Sequence, residues 1–158
     1  MESVRGSVLG LMLVSLASVS WGGFDGCFEG DCSNVKGNGK YTFANGDVYE
    51  GDFVSGQRMG KGKQTFANGD VYEGDFVSGH RTGKGKLTFA NGDIYEGDFV
   101  FGQRTGKGKF TWPIGDVYEG DFMGDQIHGE GKVKFADGRV LEGVFEYGNY
   151  LGDADSEE

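Results

Sequence analysis

Short runs of alternating polar and apolar residues, separated by glycine-containing turns, extend along most of the chain. The run Lys40–Phe43 is followed by Ala44-Asn45-Gly46 and then by the run Val48–Phe53. Two such runs around Asn-Gly predict a β-hairpin. The pattern returns every 23 residues, giving five units at 37–59, 60–82, 83–105, 106–128 and 129–151. Because consecutive hairpins bury a shared surface, we predict an all-β fold, an elongated single antiparallel sheet of five hairpin repeats with ten strands.

The turn inside each hairpin decides which side chains share a face. A two-residue type I′ turn needs positive φ at both central positions, and the fourth unit has the β-branched Ile114 there. Pro113 suits the second position of a type I turn, so we predict a three-residue turn that ends on glycine. This register pairs Tyr41 with Tyr49 and brings lysines opposite acids. The pairs are Lys40–Glu50, Lys63–Glu73, Lys86–Glu96, Lys109–Glu119, Lys132–Glu142, Lys61–Asp75, Lys84–Asp98 and Lys107–Asp121.

The opposite face of the predicted sheet is aromatic, with Phe43 and Tyr49 on the same side, and it is our candidate binding face. Its residues are Tyr41, Tyr49, Phe53, Tyr72, Phe76, Tyr95, Phe99, Trp112, Tyr118 and Phe122. Trp112 replaces a phenylalanine of the other units and is a candidate anchor, since tryptophan is enriched in binding hot spots. The alternative is that its larger ring fills the end of the stripe. Phe101, in a connector between hairpins, is predicted to be exposed.

Composition and charge narrow the class of protein. Glycine accounts for 32 of 158 residues, proline for one, and aromatics for 14%. Collagen, helical bundles and disordered linkers do not combine these values. The net charge of −10 argues against nucleic-acid binding and against electrostatic docking to anionic lipid, because both need a basic surface.

The two ends of the chain carry separate signals. Residues 1–20 predict a signal peptide, with a short apolar run and small residues Ser18 and Ser20 before Trp21, so we expect export to a periplasm or secretion. An uncleaved N-terminal anchor is the alternative interpretation, and a lipoprotein site at Cys27 is favoured less than either. Residues 21–36 form a predicted N-terminal cap in which Cys27 and Cys32 pair as a disulfide. Residues 152–158 are a predicted acidic tail.

The sequence offers little that is typical of an active site. His80 and His128 replace Gln and Thr of the other units, and we interpret both as exposed loop residues. Neither calcium-ligand spacing nor a phosphate-binding Gly-rich motif occurs. We predict no catalytic residue, no metal and no cofactor.

The units closely resemble the MORN repeat (membrane occupation and recognition nexus). Its Tyr-x-Gly-x-aromatic core is present at Tyr49–Phe53 and returns at Tyr72–Phe76, Tyr95–Phe99 and Tyr118–Phe122. The fifth unit departs from it with Arg139, Leu141 and Val144, which suit a terminal capping repeat. The resemblance implies an elongated twisted sheet of hairpins that serves protein contact, dimerisation or lipid contact. Enzymes of the family carry catalysis in separate domains, and we expect none in this chain.

These observations predict an exported, non-enzymatic scaffold. Its partner is an unidentified protein bound through an aromatic groove or a sheet edge, and the edges also allow self-association. A peripheral membrane or phospholipid-binding module is the alternative. A carbohydrate-binding groove is a further hypothesis, because aromatic rings stack on sugars.

Overall fold

The computed structural model describes residues 36–153, and these form one open antiparallel sheet whose strands follow chain order. The eleven strands are β1 Lys36–Thr42, β2 Val48–Val54, β3 Gln57–Thr65, β4 Val71–Val77, β5 His80–Thr88, β6 Ile94–Val100, β7 Gln103–Thr111, β8 Val117–Met123, β9 Gln126–Lys134, β10 Val140–Glu146 and β11 Asn149–Gly152. The predicted fold class is confirmed, with β11 added to the ten strands expected.

Three sequence predictions fall outside the described residues. They are the signal peptide at 1–20, the disulfide between Cys27 and Cys32, and most of the acidic tail. Between residues 36 and 153, no helix is long and apolar enough to cross a membrane.

The hairpin register is the predicted one. In the first unit Lys40 lies opposite Glu50 and Tyr41 opposite Tyr49. The amide of Gly46 donates to the carbonyl of Phe43 at 2.9 Å, and Gly46 has a φ of 91°, as the glycine that ends a three-residue turn requires. All eight predicted lysine–acid pairs form, for example at 3.0 Å between Lys63 and Glu73. Their agreement fixes the register, although each exposed pair contributes only about 0.2–1 kcal/mol.

The connectors between hairpins are shorter than predicted. Ser55 and Gly56 have φ values of 50° and 72°, so two residues reverse the chain as in a type I′ turn. Strand β3 consequently begins at Gln57, the position equivalent to His80, which we interpreted as a loop residue. A register shift between Gly51 and Asp52 absorbs the additional residues, as a β-bulge does. The whole chain from Lys36 to Gly152 is therefore a continuous ladder of tight hairpins.

Candidate functional site

Four buried tyrosines form the spine of the aromatic face: Tyr49, Tyr72, Tyr95 and Tyr118, each 0% exposed. The ring of Tyr72 lies edge-on between Phe76 and Phe99, with centroid distances of 5.2 and 4.9 Å. Its hydroxyl donates to the carbonyl of Asp75 at 3.1 Å. Burial, with a smaller effect of the Asp75 charge, raises the pKa of Tyr72 to about 12. The neutral phenol is therefore the form that the fold requires.

Glycines form the surface on which these rings lie. Gly74 and Gly85 face each other beneath Tyr72. A Cβ atom added to Gly85 would lie 2.5 Å from Cε2 and from the hydroxyl oxygen of Tyr72. Because carbon atoms in contact are normally about 3.5–4.0 Å apart, an alanine does not fit without moving the ring.

The aromatic face is a core rather than an open surface, which corrects the exposure implied by our candidate binding face. Eight of its ten residues are at most 9% exposed: Tyr49, Phe53, Tyr72, Phe76, Tyr95, Phe99, Tyr118 and Phe122. Each ring covers its neighbours, since the glycines let all of them lie close to the backbone. Of these ten residues, only Tyr41, at 39%, and the half-buried Trp112 present ring surface to solvent. Contact of a partner with these two residues stays a prediction.

A row of arginines covers the aromatic core, and sequence reasoning did not identify it. The guanidinium carbon of Arg81 lies 5.4–5.7 Å from the ring centroids of Phe66, Tyr72 and Phe99. Its Nη2 donates to the carbonyl of Gly102 at 2.7 Å. Arg58 and Arg104 repeat this arrangement one unit before and one unit after. The signal in the sequence was an arginine that recurs every 23 residues.

The other face of the sheet carries a long groove of about 1130 Å³. Two rows of charged side chains form its walls, and the backbone of the glycine row forms its floor. Within one strand, Lys84 and Lys86 stand on the two walls, two residues or about 7 Å apart, while Gly85 lies between them. The charged lining residues are Lys61, Lys84, Lys86, Lys107, Lys109 and Lys132 with Glu73, Glu96, Glu119, Glu130 and Glu142. We call this surface the charged groove.

The fifth unit changes one end of the charged groove. Glu130 stands where the three preceding units have lysine, and Val144 lies opposite it in place of aspartate. The lysine–acid pair of this row is therefore missing in the last unit. Toward β10, one wall of the charged groove is therefore more acidic, because of Glu130, and less polar, because of Val144. The two ends of the groove consequently differ, although the repeat units are similar.

The histidines differ in their surroundings. His80 is exposed as predicted, but it lies at the start of β5 rather than in a loop, and it packs edge-on against Phe101 at 5.8 Å. Phe101 is 78% exposed in its turn, as predicted. His128 is neither exposed nor in a loop, which corrects our interpretation. It lies half-buried in β9 against Tyr147, and no described residue bonds its buried Nδ1.

The described residues show no cluster suited to a metal: from Lys36 to Asp153, no three His, Cys, Asp or Glu side chains are grouped to hold one.

Comparison with known proteins identifies the family. A search of the curated proteins returned no match. The family model for the MORN repeat matches five consecutive segments at residues 36–48, 49–71, 72–94, 95–117 and 118–138. These segments cover more than half of the chain and coincide with the hairpin ladder, so the chain belongs to the MORN repeat family.

Proposed function

We propose that this protein is a non-enzymatic scaffold that binds a partner protein along the charged groove. MORN repeats are commonly scaffolds for protein or membrane interaction, and MORN repeat proteins are typically non-enzymatic. The proposal assigns this general role to one surface, the charged groove. If the predicted leader directs export, the partner is a protein outside the cytoplasm.

The observation that carries the proposal is the continuity of the charged groove. It runs from β3 to β10, eight strands or about 34 Å at about 4.8 Å per strand. Lysine and glutamate alternate along one wall, and the other wall is lined by three lysines and Glu130, which complements a partner segment with charges of both signs. Between the two walls the floor is bare backbone, because the side-chain positions of the glycine row point to the aromatic face. The aromatic face has no groove of comparable length in the described residues, because eight of the ten candidate residues are buried against one another.

Charge reversal within the groove tests this assignment. We expect the double variant Lys86→Glu/Lys109→Glu to lose the proteins that wild type captures by cross-linking in its native compartment. The matched control is Lys40→Glu/Lys134→Glu, which makes the same change in net charge at residues that do not line the groove. Capture by both variants at the wild-type level, or no specific capture by wild type, would contradict the proposal.

Two further measurements test whether the protein is exported and whether it binds anionic lipid. We expect N-terminal sequencing of the exported protein to begin at Trp21, and full-length protein in the cytoplasm would contradict export. We expect the mature chain to stay in the supernatant when anionic vesicles are sedimented, because its net charge is negative. Salt-sensitive co-sedimentation would instead support the membrane-binding alternative.

A further inference from the structure

The arginine row on the aromatic face shows which chemical group the repeat accommodates there. The guanidinium carbon of Arg104 lies 5.5 Å from the ring centroid of Phe89 and 5.6 Å from that of Tyr95. Its Nη2 donates to the carbonyl of Asp125 in the next connector. Arg81 and Arg58 make the same two kinds of contact one and two units earlier, respectively. Three successive units therefore place a guanidinium between aromatic rings and a connector carbonyl.

The next unit lacks its arginine but keeps the surroundings. Ile127 occupies the position 23 residues after Arg104. The equivalents of the ring partners are present as Trp112, Tyr118 and Phe145. The equivalent of the connector carbonyl belongs to Gly148, and Ile127 has no side-chain N–H with which to reach it. Tyr118 and Phe145 are buried at 0% and 4% exposure, so the open groups of the equivalent site are the ring of Trp112 and the backbone of Gly148, beside the shorter, apolar Ile127.

A pocket of about 210 Å³ opens between Arg104 and Ile127, and of the three equivalent rings it is lined by Trp112. Trp112, Phe110, Phe122, Ile127 and Gly148 are among the residues that line it. One water occupies about 30 Å³ of liquid, so the volume corresponds to about seven waters and admits a side chain. Tyr147 also lines the pocket, from the connector position that has a positive φ in every unit.

The local charges permit a further cation. Arg104 lies at the pocket, but Asp125 pairs with it at 3.1 Å and offsets its charge. Arg58, Arg81 and Arg104 already stand one repeat apart along this face, so one more guanidinium continues an existing arrangement. A planar guanidinium stacks on rings and donates to carbonyls at the same time, which an ammonium does less well.

We propose that this pocket binds an arginine side chain of a partner protein, which supplies in trans the guanidinium that Ile127 does not provide. The site goes beyond the charged groove, since it lies on the opposite face of the sheet and has its own ligand chemistry. Its ligand is defined by the three arginines that the chain places in equivalent positions.

A peptide titration followed by NMR tests the site. The protein is the full chain with Trp21→Phe, so that the only tryptophan indole N–H signal belongs to Trp112. The probes are acetyl-Gly-Arg-Gly-amide and the same peptide with citrulline, which has nearly the same shape and no charge. We expect millimolar arginine peptide to shift the Trp112 indole and the Gly148 amide saturably, and the citrulline peptide to bind at least tenfold more weakly.

Two variants at one position provide the matched comparison. Ile127→Arg fills the site from within the chain and abolishes the shifts, whereas Ile127→Val leaves the pocket open and preserves them. If Ile127→Arg does not fold, Trp112→Leu read on the Gly148 amide must show a tenfold loss of affinity. Equal binding of the two peptides, unchanged binding by the arginine-filled variant, or no shift with either peptide would overturn the proposal.

The same titration separates this site from the proposed scaffold surface. The groove variant Lys86→Glu/Lys109→Glu retains the arginine peptide if the two sites are distinct. If wild type binds the peptide but captures no partner, the proposed function of the charged groove is contradicted and the pocket proposal is not. If wild type captures a partner but does not bind the peptide, the pocket proposal is contradicted and the groove proposal is not.

Discussion

Gly85→Ala is the substitution that most sharply tests how the core is built. The added Cβ would lie 2.5 Å from Cε2 of Tyr72, about 1 Å closer than carbon contacts allow. Tyr72 is 0% exposed between Phe76 and Phe99, so its ring has no free space into which it can move. Overpacking of this kind costs about 1–3 kcal/mol, and loss of the hydrogen bond to Asp75 adds about 1 kcal/mol. We expect the free energy of unfolding to fall by about 3 kcal/mol.

Denaturant unfolding of Gly85→Ala and Gly124→Ala measures this effect against a control. Gly124 has a φ of 54° and open space around the added atom, so alanine there costs only about 1 kcal/mol of backbone strain. The double variant Gly85→Ala/Tyr72→Leu should be less destabilised than the sum of its single changes by at least about 1 kcal/mol, because leucine lacks the clashing ring. A cost at Gly85 no larger than that at Gly124, or strict additivity, would refute the reasoning.

Three further predictions concern titration, the arginine row and the exposed pairs. Because burial raises the pKa of the four core tyrosines to about 12, the folded state holds their protons more tightly than the unfolded state. These groups therefore do not change the free energy of unfolding below pH 10. Between about pH 10 and 12, each tyrosine lowers it by about 1.4 kcal/mol for every pH unit, and urea unfolding midpoints measured across this range test the decrease. Arg81→Met removes the stacking on three rings and the hydrogen bond to Gly102, so it should lower the free energy of unfolding by about 2–3 kcal/mol. Arg81→Lys should recover less than half of this loss. Lys86→Met breaks a half-exposed pair with Glu96 and should change the free energy of unfolding by less than about 0.5 kcal/mol. A larger loss would show that the surface pairs stabilise the sheet.

The hairpin register was predictable because two independent residue patterns agree. Ile114 disfavours a two-residue turn and Pro113 favours a type I turn, and the resulting alignment places every lysine of the Lys40 row opposite a glutamate. The connectors were not predictable in the same way. Ser55, Phe101 and Tyr147 adopt positive φ, which local preference disfavours, because the ladder on both sides of each connector holds the turn tight.

The candidate site was only partly predictable, since strict alternation gives a sheet two faces without saying which is open. The tyrosine-to-glycine contacts bury one face almost completely and leave the charged face as the groove. Arg58, Arg81 and Arg104 belong to the core only because a guanidinium can cover aromatic rings, a role that their charge conceals in the sequence. The change to Ile127 was visible in the repeat alignment, but its significance depends on the pocket beside Trp112.

Nitration of the native protein, read by mass spectrometry, distinguishes a buried aromatic face from an open one. We expect rapid modification of Tyr147, at 56% exposure, and of Tyr41, at 39%, and protection of Tyr49, Tyr72, Tyr95 and Tyr118. Modification of these four as fast as Tyr147 in the folded protein would contradict this expectation, because the aromatic face would then be open to a partner.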